Sequence, residues 1–112
     1  MTKDLNVICV PQSATIKDAM ESMHKSGIRS AFVVDENKKL LGVVTDGDIR
    51  RALLSGKNLE SSAAEIMVTN LITAIKDTPT SQLLEIMTEK SIYQIPIVNP
   101  DNIMTDVALL IE

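Results

Sequence analysis

Short apolar runs alternate along this chain with one-sided helical stripes. Residues 7–10 form an apolar run closed by Pro11, which has no amide to give a ladder, so the run predicts a strand. Ile16, Ala19, Met20 and Met23 recur at the three-four spacing of a buried helical face, and Gly27 follows as a left-handed terminator. Residues 31–34 and 40–44 are continuous apolar runs separated by Asp35-Glu36-Asn37-Lys38, the pattern of a hairpin with both strands buried. Thr45-Asp46-Gly47-Asp48 then opens a helix carrying Ile49, Ala52 and Leu53, which Gly56 closes. A short helix is predicted over residues 63–67, after a connection that starts at Leu59.

The same order then returns. Residues 71–75 predict a strand, 79–90 a helix with Pro79 in its first turn, 94–98 a strand, Asn99-Pro100-Asp101-Asn102 a turn, and 103–111 the returning strand. At a constant offset of 64 residues, Ile8 falls on Ile72, Ala19 on Leu83, Met23 on Met87, Ile28 on Ile92, Val34 on Val98 and Val43 on Val107, with no gap. A unit this small cannot bury its own sheet face. The expected architecture is therefore α+β: two βαββ(α) repeats, residues 1–58 and 59–112, packed as a pseudo-two-fold pair with a ligand-sized seam between them. The counterpart of the first repeat's closing helix falls at residues 110–112, so the second repeat is expected to lack that helix. The uncovered apolar face suggests a chain cut from a longer polypeptide.

Composition narrows the function. The 112 residues carry a formal net charge of −4, no basic block and two aromatic residues, Phe32 and Tyr93. A nucleic-acid platform needs basic density and stacking rings, so DNA and RNA are not expected partners. Cys9 is the single cysteine, which excludes an intrachain disulfide and fits a reducing, cytoplasmic setting. No apolar run is long enough to span a bilayer, and no membrane partner is expected. His24, the single histidine, has no second ligand at metal-binding spacing, and no catalytic triad can be built around it. The chain is expected to be non-catalytic, without metal or cofactor.

One constellation carries candidate chemistry, residues 42–48. Gly42 lies in a buried strand, and Thr45 and Asp48 stand three residues apart at a helix start. Thr45 with Asp48 is close to a capping box, which needs no ligand. The same residues suit a nucleotide: helix-start amides for phosphate, a glycine for close approach, a carboxylate for ribose hydroxyls. Phe32 on the neighbouring strand offers a wall for a flat base, or is plain core. Both readings stand at this level.

The repeated βαββ pattern, Val33-Val34-Asp35 before the hairpin and G-x-x-T-x-x-D at 42–48 resemble a tandem pair of CBS domains. That resemblance implies a regulatory module binding AMP, ATP or a related purine nucleotide between the repeats. Its implied site residues are Ile8, Ser30, Ala31, Phe32, Thr45, Asp46 and Asp48, with Thr45 on phosphate or ribose and Asp48 on the ribose hydroxyls. It also implies a homodimer, here through Met20, Met23, Leu83 and Met87, and an enzyme domain further along the polypeptide. Residues 45–54 are similar to the CBS pair of some bacterial sugar-phosphate nucleotidyltransferases and to that of arabinose 5-phosphate isomerases; residues 94–98 and 105–110 look more like the former. A ligand-free dimerisation module is the alternative from another class. In the second repeat Gly42, Thr45 and Asp48 become Asp106, Leu109 and Glu112, so at most one good nucleotide site is expected.

Overall fold

The structure, a computed structural model, describes residues 4–110. Its first repeat holds α1 (Leu5–Ile8), β1 (Cys9–Pro11), α2 (Ile16–Ser26), β2 (Ser30–Val34), β3 (Leu40–Thr45) and α3 (Asp46–Leu54); the second holds α4 (Thr80–Lys90), β4 (Gln94–Val98) and β5 (Met104–Leu109). In the first sheet β1 runs parallel to β2 and β2 antiparallel to β3. β4 and β5 form an antiparallel pair, extended by a single parallel bridge from Ala74 to Ile97.

The sequence offset survives in three dimensions. Val10 pairs with Val33 as Ala74 does with Ile97, and Val33 with Gly42 as Ile97 does with Asp106. Each hairpin slips register at the same place, between Val33 and Val34 and between Ile97 and Val98. The carboxylate of Asp35 and the amide oxygen of Asn99 each accept two backbone amides, and Lys38 and Asn102 both take positive φ, so the two hairpin turns are one design. Gly27 and Ser91 end α2 and α4 in the left-handed region, the serine at the cost of a strained Cβ.

The repeats meet about a pseudo-two-fold axis. Lys39 bridges Ile103, its own counterpart; the Leu40 amide donates to the Asn102 carbonyl and the Met104 amide to the Lys38 carbonyl. Ser30 Oγ donates to Gln94 Oε1 over 2.8 Å, again between counterparts. Two apolar clusters flank the sheets. One lies under α2 and α3 and holds Val10, Ile16, Ala19, Ala31, Val33, Val44, Ile49 and Ala52. The other lies at the seam and draws Ile8, Ile28, Phe32 and Leu40 from the first repeat and Val98, Met104 and Val107 from the second.

Four sequence expectations change. Val7 and Ile8 are helical, because Asp4 caps the α1 turn by accepting the Asn6 amide, so the strand begins at Cys9 and includes Pro11. Residues 63–67 make one turn, closed by Ile66 donating to Ala63, instead of a helix. The predicted strand at 71–75 reduces to the Ala74 bridge. Met23 and Met87 pack inward, whereas Met20 is exposed. No helix among the described residues covers the second repeat as α3 covers the first, and an open groove of about 870 Å³ lies over Leu83, Ile97 and Ala108. Glu112, the counterpart of Asp48, lies outside the described residues.

Candidate nucleotide cleft

Two features of β2 and β3 set up the site. β2 starts and β3 ends at this edge, where Ser30 pairs with Thr45, and β3 runs directly into α3, so Thr45 is at once the last strand residue and the helix cap. The capping box is complete: Thr45 Oγ1 accepts the Asp48 amide, and the Asp48 carboxylate accepts the Thr45 amide at 2.9 Å. The Thr45 hydroxyl also donates to the same carboxylate oxygen, Oδ2, at 2.8 Å. The other oxygen, Oδ1, takes Arg51 Nη2 at 2.7 Å. Of the first-turn amides, that of Asp46 donates to the Arg29 carbonyl and that of Asp48 to Thr45 Oγ1.

A capping box is not by itself a site, and this chain contains the control. Thr15 and Asp18 start α2 with the same reciprocal bonds, Asp18 exposed and Thr15 half-buried. Thr45 and Asp48 differ in what lies beside them. They line a cleft of about 240 Å³ together with Phe32 and Val43 of the first repeat and Leu71, Ile72, Ile92 and Pro96 of the second. Ser30 and Gln94 lie in the same lining, joined across the seam, together with Val68 and Asn70. An apolar slot lined also by a hydroxyl and a carboxylate accommodates a flat ring carrying a polyhydroxyl substituent.

Of the residues expected at the site, Ser30, Phe32, Thr45 and Asp48 come together in this cleft. Ile8, Ala31 and Asp46 do not line it. Ile8 is fully buried in the seam cluster, and its counterpart Ile72 occupies the cleft position beside Thr45, because the repeats exchange their entry segments across the pseudo-axis. Ala31 alternates to the opposite face of β2 and packs under α2 and α3. Asp46 is exposed and pairs with Arg50 at 2.9 Å. Sequence reading missed Ile72, Ile92, Gln94 and Pro96; the 64-residue offset could have found them, as counterparts of Ile8, Ile28, Ser30 and Phe32. Gly42 also has a different use. A Cβ there would lie 2.7 Å from Met67 Sδ and 2.9 Å from the Val68 carbonyl, so the close approach it permits is that of the connecting segment.

The pseudo-symmetric wall positions are apolar where they are described. They include Ile8, Ile28, Phe32, Val107 and Leu109, and these pack with Leu5 into the seam cluster. Away from the cleft, Cys9 Sγ lies 3.8 Å from Met104 Sδ, and burial pushes the thiol up to about 11 with Lys38 pulling it back, so it stays protonated near neutrality. His24 is exposed on α2.

The CBS domain family model matches residues 1–55 and 63–105. The chain belongs to the CBS domain family. Curated relatives of this CBS pair include inosine-5'-monophosphate dehydrogenase of Halobacterium salinarum, 32% identical over 86% of the chain and 19% of the relative, and arabinose 5-phosphate isomerase GutQ of Salmonella typhi, 30% identical over 86% and 31%. The chain thus spans less than a third of either relative. Among solved structures, it is similar to the putative acetoin utilization protein AcuB of Vibrio cholerae (TM-score 0.84, 25% identity, 97% of this chain and 84% of that one). It is similar also to the CBS domain pair of protein MJ0100 in complex with 5'-methylthioadenosine and S-adenosyl-L-methionine (0.79, 26%, 97% and 90%). The CBS domain protein PAE2072 of Pyrobaculum aerophilum, complexed with AMP, shares the fold (0.80, 22%, 96% and 86%).

Proposed function

We propose that this CBS pair is a non-catalytic regulatory module that binds a purine nucleotide in the Thr45–Asp48 cleft and passes its occupancy to an enzyme domain in the same polypeptide. The observation that carries the reading is the cleft itself: apolar walls from both repeats together with a hydroxyl and a carboxylate. It is supported by the MJ0100 pair, similar over nearly the whole chain and named with two adenosine compounds. Because the walls come from both repeats, occupancy bears on how the repeats sit together, and coupling follows wherever two arrangements bind the ligand unequally. Ser30, Phe32, Ile72 and Pro96 hold the base, and Thr45 and Asp48 the sugar-phosphate end.

The host enzyme of this reading is a sugar-phosphate enzyme. The GutQ match favours an arabinose 5-phosphate isomerase; the nucleotidyltransferase rests on residues 94–98 and 105–110 alone. The module works in the cytoplasm as a homodimer, with exposed Met20, Leu53, Leu54 and Leu59 on the α2 and α3 side as the surface to cover.

Calorimetry with AMP and its 2′,3′-dideoxy analogue tests the site. Asp48→Ala should weaken AMP by about 1.5–3 kcal/mol, the range for hydrogen bonds to a charged group, and should not weaken the analogue. Equal losses would reduce Asp48 to a helix cap. Absence of binding by either compound, together with a dimer in sedimentation, would favour the ligand-free dimerisation module.

A further inference from the structure

The hydrogen-bond inventory of Asp48 limits which adenosine compounds the cleft can prefer. An ionised carboxylate has about four acceptor positions. Three are occupied, by the Thr45 amide, the Thr45 hydroxyl and Arg51 Nη2. One ribose hydroxyl finds a free position on Oδ1; a second needs the one that Arg51 holds. Arg51 is the partner that can move, since its side chain is 72% exposed while that of Asp48, held by the capping box, is 12% exposed. Its guanidinium already folds back over Gly47, with Nη1 3.3 Å from where a Cβ would stand. The cleft volume, about 240 Å³, lies below the roughly 300 Å³ at which pockets begin to enclose a drug-sized ligand, so part of a nucleotide lies outside, where Arg51, bonded to Asp48 of the lining, is within reach.

Resting on the purine-nucleotide reading above, we infer that Arg51 is a specificity-determining residue: a ribose diol displaces it from Asp48, and it transfers to the ligand's phosphate, so the cleft selects phosphorylated purine nucleosides over neutral or sulfonium adenosine compounds. Charge balance favours the exchange. Asp48 lines the cleft and is neutralised by Arg51, whereas Asp46, paired with Arg50, does not line it. Without Arg51 the cleft carries an unbalanced carboxylate that repels a phosphate and attracts a sulfonium.

The test is calorimetry of AMP, adenosine and S-adenosylmethionine on the wild-type chain and on Arg51→Gln, Arg51→Lys and Arg50→Gln. Wild type should bind AMP at least about ten-fold tighter than adenosine, as for a charge-assisted contact. Arg51→Gln should abolish that gap with adenosine changed by less than about two-fold, Arg51→Lys should restore most of it, and Arg50→Gln should leave it intact. Equal weakening of AMP and adenosine in Arg51→Gln, or a wild-type chain that does not distinguish them, overturns the inference while the purine reading stands. Binding of none of the three compounds overturns both.

Discussion

Cys9 shows how a single residue takes its properties from a neighbour far away in sequence. Its thiol is pushed up to about 11 by burial against the seam, where Met104 lies 3.8 Å away. The folded value exceeds the ordinary 9.0, so on raising the pH the unfolded chain ionises first. The stability this group contributes is complete below about pH 9 and is lost as the pH rises through about 11. Melting temperatures of the wild type should therefore fall more steeply across this window than those of Cys9→Ala; parallel falls would show that the thiol is hydrated. Nothing in the sequence marks this contact, because a lone cysteine carries no register. Ile8 fails to predict its own place for a related reason. The pattern tells which positions are equivalent, and the exchange of entry segments between repeats decides that Ile72, not Ile8, stands beside Thr45.

At the scale of elements, the legible parts are those with local causes. α2, the hairpin of β2 and β3, α4 and β4 follow from periodicity and turn chemistry, and their observed bounds stay within a residue or two of the pattern. The failures are short apolar segments, where strand and helical turn look alike until a cap such as Asp4 decides. Gly42 belongs with these: its neighbours in sequence suggest a ligand, and its neighbour in space is the connector. Val43 and Val68 exchange both backbone hydrogen bonds, at 3.0 and 2.8 Å, which lays the connector along β3 and seats Met67 over the glycine. Gly42→Ala should cost about 1–3 kcal/mol of stability in urea unfolding, the overpacking range, because a backbone carbonyl cannot yield as a side chain can. An unchanged midpoint would show that the connector peels away freely, and the β3 edge would then have to be regarded as open.

The whole molecule depends on the axis between the repeats. Hydrogen bonds cross it near its two ends: the backbone pair between residues 38–40 and 102–104 with Asn102 Nδ2 to the Leu40 carbonyl at 2.9 Å, and Ser30 to Gln94. Between them lies a cluster to which both repeats contribute, including Phe32 and Ile8 from one and Met104 and Val107 from the other. Neither sheet closes its own core on this side, so the two repeats should unfold as one unit. Asn102 is the residue on which to test this, since it holds a left-handed φ of 63° and bonds across the axis while belonging to the second repeat. Asn102→Ala should cost about 2 kcal/mol, from one lost hydrogen bond and the strain of a left-handed alanine. In native-state hydrogen exchange the amides of β2 and β3 should lose as much protection as those of β4 and β5, because every opening that exposes one sheet exposes the other. Loss confined to β4 and β5 would mean that the first repeat stands alone. The seam would then be a docking surface between independent units, and a ligand held there would have to create the coupling on which regulation depends.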